Sequence, residues 1–183
     1  KQVQHESALK RAFFTPLDWY LLRHCPMPVY LVGGRGDGWP RKIVAAVEVS
    51  DTEFPDNTLN DRIIRQANSL AIQCDAELHL LYACDISAAF LADMDGLTLA
   101  DLTKALRKDL QQAFVKLAGQ YGVPADRRHL VSGHPVKALS EFAHEHEVDV
   151  IVMGKVQSSG VDKLLGSTTE HILYQVPCNV LAV

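Results

Sequence analysis

Residues 148–154 read VDVIVMG, an almost continuous apolar run that ends at a glycine. This pattern is typical of a strand that helices cover on both faces, because neither face then meets water. Segments with the helical spacing of apolar residues separate it from four similar runs, at 43–47, 78–83, 129–131 and 180–183. The alternation predicts an α/β, Rossmann-like protein: an open, doubly wound sheet of five parallel strands with helices on both faces.

The segment after this run has features of a phosphate-binding loop. Open parallel sheets bind ligands outside the carboxyl ends of their strands, and residues 154–168 begin at such an end. Glycines let backbone amides approach a phosphate, and a helix start at Ser167 and Thr168 adds about half a positive charge. The residues alone leave two interpretations open, a phosphate loop and a plain surface loop before a capped helix. The spacing matches neither a Walker A loop nor a GxGxxG motif.

A glycine-rich segment, residues 33–40, divides the chain. Such a run favours neither helix nor strand, so we interpret it as a linker. Before it, residues 14–32 repeat the pattern of residues 165–183: a helix start, a proline-containing turn and a short apolar strand. The repeat predicts that residues 1–32 are the last helix and strand of a preceding copy and that residues 41–183 are a complete domain. A chance match between two helix-turn-strand segments is the alternative.

The glycine spacing resembles the motif of the universal stress protein family. That motif is a glycine, two residues, a second glycine, nine residues, then a glycine and a hydroxyl residue. Gly154 stands at the first position, and Gly166 with Ser167 stands at the terminal pair. The opening at 42–50 and the turn at 133–135 also resemble the family. The resemblance covers residues 41–183 as a whole domain and residues 1–32 as a domain end, in a tandem arrangement.

The resemblance implies a ligand site at the carboxyl ends of the strands, where one branch of the family holds ATP. The residues at matching positions are Glu48, Ser50, Gly133, Gly154, Gly160, Gly166, Ser167 and Thr168. Two features depart from the motif: Gln157 occupies the second glycine position, and the loop to Gly166 is one residue short. A side chain at 157 disfavours a left-handed backbone and crowds a phosphate. We therefore predict weak or absent ATP binding, and the ligand stays open among nucleotide-containing small molecules.

Composition limits the class of protein. Lys and Arg number 18 against 22 Asp and Glu, which gives a net charge of −4 and argues against the basic footprint of nucleic-acid binding. No apolar run approaches the ~20 residues that span a membrane, so we expect no membrane insertion. The four cysteines form no CxxC pair. This usage predicts reduced thiols in a cytoplasmic protein.

No arrangement of residues indicates nucleophilic or metal catalysis. The sequence has no GxSxG elbow and no HExxH motif, and His144-Glu145-His146 is interpreted as a solvated helix end. His134, beside Gly133, is interpreted as a helix cap. The leading hypothesis is a non-catalytic stress-response module that responds to a small ligand and acts through contacts with unidentified proteins. The alternatives are a slow ATPase or phosphotransferase that uses residues 154–168 and a purely structural pairing domain.

The last strand predicts self-association. In an open sheet residues 180–183 lie on an edge, and they carry no charge that would protect its unpaired N–H and C=O groups. Residues 29–32 supply a matching short strand. The family implies pairing through such terminal strands. We expect the two to lie side by side and antiparallel, joining two copies into a pseudo-dimer within one chain or forming a homodimer.

Overall fold

The computed structural model describes residues 17–33, 38–49, 58–85, 99–157, 164–165, 172 and 175–183. In this part the helices are α1 (Leu17–His24), α2 (Thr58–Cys74), α3 (Leu99–Gln120) and α4 (Pro135–Glu145). The strands are β1 (Val29–Leu31), β2 (Lys42–Ala46), β3 (Glu77–Cys84), β4 (Arg128–Ser132), β5 (Val150–Met153), β6 (Val156–Gln157), β7 (Leu164–Leu165) and β8 (Asn179–Ala182).

Six of these strands form one sheet in the order β1-β8-β5-β2-β3-β4. The five strands from β8 to β4 are parallel, and the chain winds from β2 towards β4 on one side and from β5 to β8 on the other. The winding therefore reverses between β2 and β5. This confirms the predicted α/β fold with a doubly wound, five-stranded parallel sheet. The sixth strand, β1, is added antiparallel at the edge.

Each face of the sheet carries its own apolar core. Because successive strand residues point to opposite faces, Ile43 and Ala45 pack with α2 and α3. Val44, between them, belongs to the core on the other face, with residues of α1 and α4. The same alternation divides Val152 from Ile151 on β5. Helices thus cover both faces, as the continuous apolar runs predict.

The strand β1 extends the sheet beyond β8. Its register pairs Val29 with Ala182, Tyr30 with Leu181 and Leu31 with Val180. This is the side-by-side, antiparallel arrangement that the sequence predicts for residues 29–32 and 180–183. Whether residues 1–32 end a preceding copy stays a prediction, and residues 34–37 of the expected linker lie outside the described residues.

Candidate ligand site

Four strand ends meet at one edge of the sheet. Glu48 follows β2, Asp85 follows β3, Gly133 follows β4 and Gly154 follows β5. These strands are parallel neighbours, so the four positions share the carboxyl edge. Glu48 and Gly154 stand on either side of the point where the winding reverses, which is where open α/β sheets bind ligands.

The backbone at Glu48 is fixed by an asparagine of α2. Its N–H donates to Oδ1 of Asn60 at 3.1 Å, and Nδ2 of Asn60 donates to the carbonyl oxygen of Glu48 at 2.6 Å. Asn60 is buried, and its amide group satisfies both polar groups of the residue that leaves β2. The first turn of α2 is thereby tied to the exit of the first parallel strand. Glu48 itself is exposed at the sheet edge.

Gly133 makes a turn that other residues adopt poorly. Its φ is +132°, and its N–H donates to the carbonyl oxygen of Cys84 at 2.9 Å. An added Cβ would meet nothing within 4 Å, so conformation rather than space favours glycine there. Pro135 then occupies the first turn of α4, as predicted. His134 occupies the N-cap position, and its carbonyl oxygen accepts a hydrogen bond from the N–H of Ala138, but its side chain makes no capping hydrogen bond.

Gly154 allows close packing between β5 and α2. A Cβ at this position would lie 3.0 Å from both Cδ atoms of Leu59 and 3.2 Å from its Cγ. The motif's first glycine therefore has a packing reason that is independent of any phosphate. It lets the exit of β5 approach the first turn of α2 without a clash.

Gly154→Ala is expected to destabilise the protein by about 1 kcal/mol, because Leu59 must move to admit the methyl group. Leu59 is 37% exposed and has room to shift, which keeps the cost small. Urea unfolding of Gly154→Ala, Leu59→Ala and the double variant gives their free energies of unfolding. The difference from additivity measures the coupling between positions 154 and 59. Leu59→Ala removes the clash, so the alanine at 154 should cost less in the double variant. Equal costs in both backgrounds would contradict the packing role.

The segment after Gly154 contains a short ladder that the sequence did not predict. Val156 pairs with Leu165 and Gln157 pairs with Leu164, antiparallel. Gln157, at the second glycine position of the motif, thus lies in a strand. Extended backbone at 157 differs from the left-handed conformation that a glycine would permit there.

Three of the eight predicted ligand residues lie within the described part of the chain. Glu48, Gly133 and Gly154 are brought to the same edge. The other five lie outside the described residues; they are Ser50, Gly160, Gly166, Ser167 and Thr168. The structure therefore describes the strand exits of the candidate site and leaves its predicted phosphate loop untested.

The residue after Gly154 is one that sequence reasoning missed. Lys155 is 7% exposed, and its Nζ donates to the carbonyl oxygens of Cys25 and Met27, both at 2.7 Å. Its backbone N–H donates to the carbonyl oxygen of Val183 at 3.0 Å. No local pattern could have shown this, because the acceptors are backbone atoms about 130 residues away.

Two buried cysteines are poor nucleophiles: Cys84 at the carboxyl edge, and Cys178 just before β8 at the opposite edge. Burial raises the pKa of Cys84, which ends β3 at the carboxyl edge. Burial also raises the pKa of Cys178 to about 12. Both thiols are therefore protonated at neutral pH, whereas the thiolate is the reactive form. All four cysteines are free in the structure.

No group of three or more His, Cys, Asp and Glu side chains in the described part of the chain could hold a metal ion. Among the helices described above, none is long and apolar enough to cross a membrane.

Comparison with known proteins gives consistent matches. The model of the universal stress protein family matches residues 41–183. A universal stress protein E homolog from Haemophilus influenzae is 30% identical over 188 residues, which covers 100% of this chain and 60% of that protein. The chain thus spans about 60% of the length of the universal stress protein E relatives it matches.

Solved structures show the same fold. A protein of Pseudomonas aeruginosa described as functionally unknown has a TM-score of 0.77 at 28% identity, over 100% of this chain and 61% of that one. A universal stress protein from Archaeoglobus fulgidus has a TM-score of 0.59 at 22% identity, over 88% of this chain and 52% of that one.

Proposed function

The chain belongs to the universal stress protein family, and from this membership we propose that it is a non-catalytic stress-response module of the cytoplasm. It responds to a small ligand at the carboxyl edge of its sheet and acts through protein contacts. One observation carries the proposal: Glu48 and Gly154 follow β2 and β5, on either side of the point where the winding reverses.

The thiol of Cys84 is protonated, so this residue is not a candidate nucleophile for catalysis. Cysteine is a common catalytic nucleophile, but burial raises the pKa of this thiol at the carboxyl edge. The side chain that holds the backbone of Glu48 is the amide of Asn60, and an amide cannot act as a general acid or base. These features suit a site that holds a ligand. The rival, a slow ATPase or phosphotransferase, requires a group that activates the attacking water or hydroxyl.

We propose that the ligand is a nucleotide-containing small molecule and that ATP itself binds weakly. The family resemblance supports a nucleotide. Gln157, which replaces the second glycine of the motif and pairs with Leu164, supports weak binding. The one-residue shortening before Gly166 supports it further.

Titration with Mg-ATP tests this proposal. We expect no binding at micromolar concentrations, and a micromolar or tighter constant would overturn the weak-binding proposal. Gln157→Gly with one residue inserted before Gly166 should strengthen binding, because it restores the spacing of the motif. Gln157→Ala with the same insertion is the matched control: it shortens the side chain without the conformational freedom of glycine. Equal affinities for the two variants would contradict the backbone explanation.

We also propose the organisation of the whole protein. Residues 1–32 end a preceding copy, residues 33–40 link it to residues 41–183, and β1 with β8 forms the pseudo-dimer seam. This ladder also favours the other rival, a purely structural pairing domain. Native mass spectrometry of the freshly purified full-length protein distinguishes the two: a co-purified small molecule supports the ligand-responsive module, and an empty protein supports the structural one. The same spectrum reports whether a homodimer forms.

A further inference from the structure

Lys155 is a buried lysine whose ammonium group is held by backbone carbonyl groups. Lysines are seldom buried unless their charge is satisfied, since an unpaired ammonium is costly to desolvate. The two acceptors, the carbonyl oxygens of Cys25 and Met27, each lie 2.7 Å from Nζ. That distance is typical of a charge-assisted hydrogen bond.

The two acceptor carbonyl groups belong to residues that each precede a proline. Cys25 precedes Pro26 and Met27 precedes Pro28, and a residue before proline is restricted to extended backbone. The helix α1 therefore ends at His24. The chain bends at Pro26 and Met27, and the carbonyl groups on either side of Pro26 meet one ammonium. The negative end of α1 adds a favourable potential for a cation.

Lys155 also contacts both sides of β8, the strand that lies between β5 and β1. Its backbone N–H bonds Val183, directly after β8, and its side chain reaches the turn before β1. The strand β1 itself pairs with the other side of β8. One residue thus connects the exit of β5, the end of β8 and the entry of β1.

We propose that Lys155 determines which segment pairs with the free side of β8. The partner it selects is a helix end followed by the sequence Xaa-Pro-Xaa-Pro and a short strand. Residues 17–31 fill this surface within the chain. Strand pairing alone is tolerant of sequence, because it uses backbone groups. The lysine adds specificity, since a partner with two converging carbonyl groups satisfies its charge and a partner without them does not offer these bonds. While its ammonium donates these bonds to the turn at residues 25–28, it points to that turn and not to a phosphate.

Hydrogen exchange on the full chain tests the proposal with Lys155→Met. Methionine fills a similar volume but donates no hydrogen bond. We expect the amides of residues 29–31 and 180–182 to exchange at least tenfold faster, with little change at residues 80–82 of β3. Lys137→Met, at a lysine side chain that is 75% exposed, is the control and should change neither region. Unchanged exchange at 29–31, or equal acceleration in β3, would overturn the proposal.

Acylation of lysines in the unaltered protein provides a test that requires no folded variant. With acetic anhydride as the probe, Lys155 should react at least tenfold more slowly than Lys137. As low urea concentrations loosen the edge, its reactivity should rise in step with exchange at residues 29–31. If Lys155 reacts as fast as Lys137, or stays protected after β1 has opened, it does not hold the turn. Neither experiment uses a nucleotide, so both outcomes are independent of the proposed ligand.

Discussion

Val180→Lys is expected to destabilise the protein by about 3–5 kcal/mol, because it places an unpaired ammonium in a closed core. Val180 is 2% exposed and pairs with Leu31 across the β1–β8 ladder. Its side chain belongs to the core that includes Leu22 and Ile151. The sequence alone, which places Val180 on a sheet edge, predicts only that a charge there loosens the edge pairing. The structure makes the position part of a core that α1 and β1 complete, so the expected loss is larger.

Urea unfolding measures this loss, and a neighbouring valine supplies the control. Val32 is 40% exposed at the end of the same edge, so Val32→Lys should change the free energy of unfolding by no more than about 0.5 kcal/mol. If the two variants unfold at the same urea concentration, position 180 is not enclosed. Exchange of the unaltered protein gives a further check: amides of residues 29–32 that exchange as fast as those of the linker would refute the paired edge.

The sheet could be predicted because its signal is local. A run such as residues 150–153 is apolar at every position, and that pattern occurs where both faces of a strand are covered. The turn before α4 could also be predicted from the sequence, because Gly133 adopts a positive φ and Pro135 begins the helix. In each case the sequence and the backbone requirement lie within a few residues of one another.

Most contacts at the site could not be predicted, because they join distant segments. Asn60 reads as an ordinary residue in the first turn of α2, and nothing near it indicates a bond to Glu48. Lys155 reads as a loop lysine beside a phosphate motif, whereas its partners lie in another segment. The pairing of Gln157 with Leu164 joins two short strands, and no local pattern indicates it.

A second contact of this kind joins two histidines near the amino ends of β3 and β4. Nδ1 of His79 lies 3.0 Å from Nε2 of His129, and their rings stack with centroids 5.3 Å apart. His129 also packs against Phe142 and His146 of the α4 region. The sequence indicates only a solvated helix end at His144-Glu145-His146, and no local pattern shows that His146 meets this half-buried pair.

The pair favours neutral rings. Burial, then the neighbouring His79, His146 and Lys42, lower the pKa of His129 to about 4, although Asp126 opposes the shift. Burial also lowers the pKa of His79, with Lys42 and Arg127 acting in the same direction. The carboxylate of Glu77, 3.4 Å from Nε2 of His79, opposes that shift.

Acidification is therefore expected to destabilise the fold between pH 6.5 and about pH 4. In this range the unfolded chain binds a proton at His129 and the folded chain does not, so the free energy of unfolding falls as the pH falls. Above pH 6.5 both states are neutral and the contribution is constant. For this partly exposed pair we expect a loss of about 1–2 kcal/mol after solvent screening is allowed for.

Titration of the imidazole resonances by NMR tests the cause, and urea unfolding at pH 7 and pH 4.5 tests the consequence. His129→Phe retains a ring against Phe142 but removes the proton-binding group, so its stability should depend less on pH. His144→Gln, at an exposed histidine of α4, should keep the full dependence of the unaltered protein. A His129 that titrates near 6.5 would mean that its ring gains a proton without disturbing the fold. The acid loss would then have to come from the carboxylates, and His129→Phe would leave it unchanged.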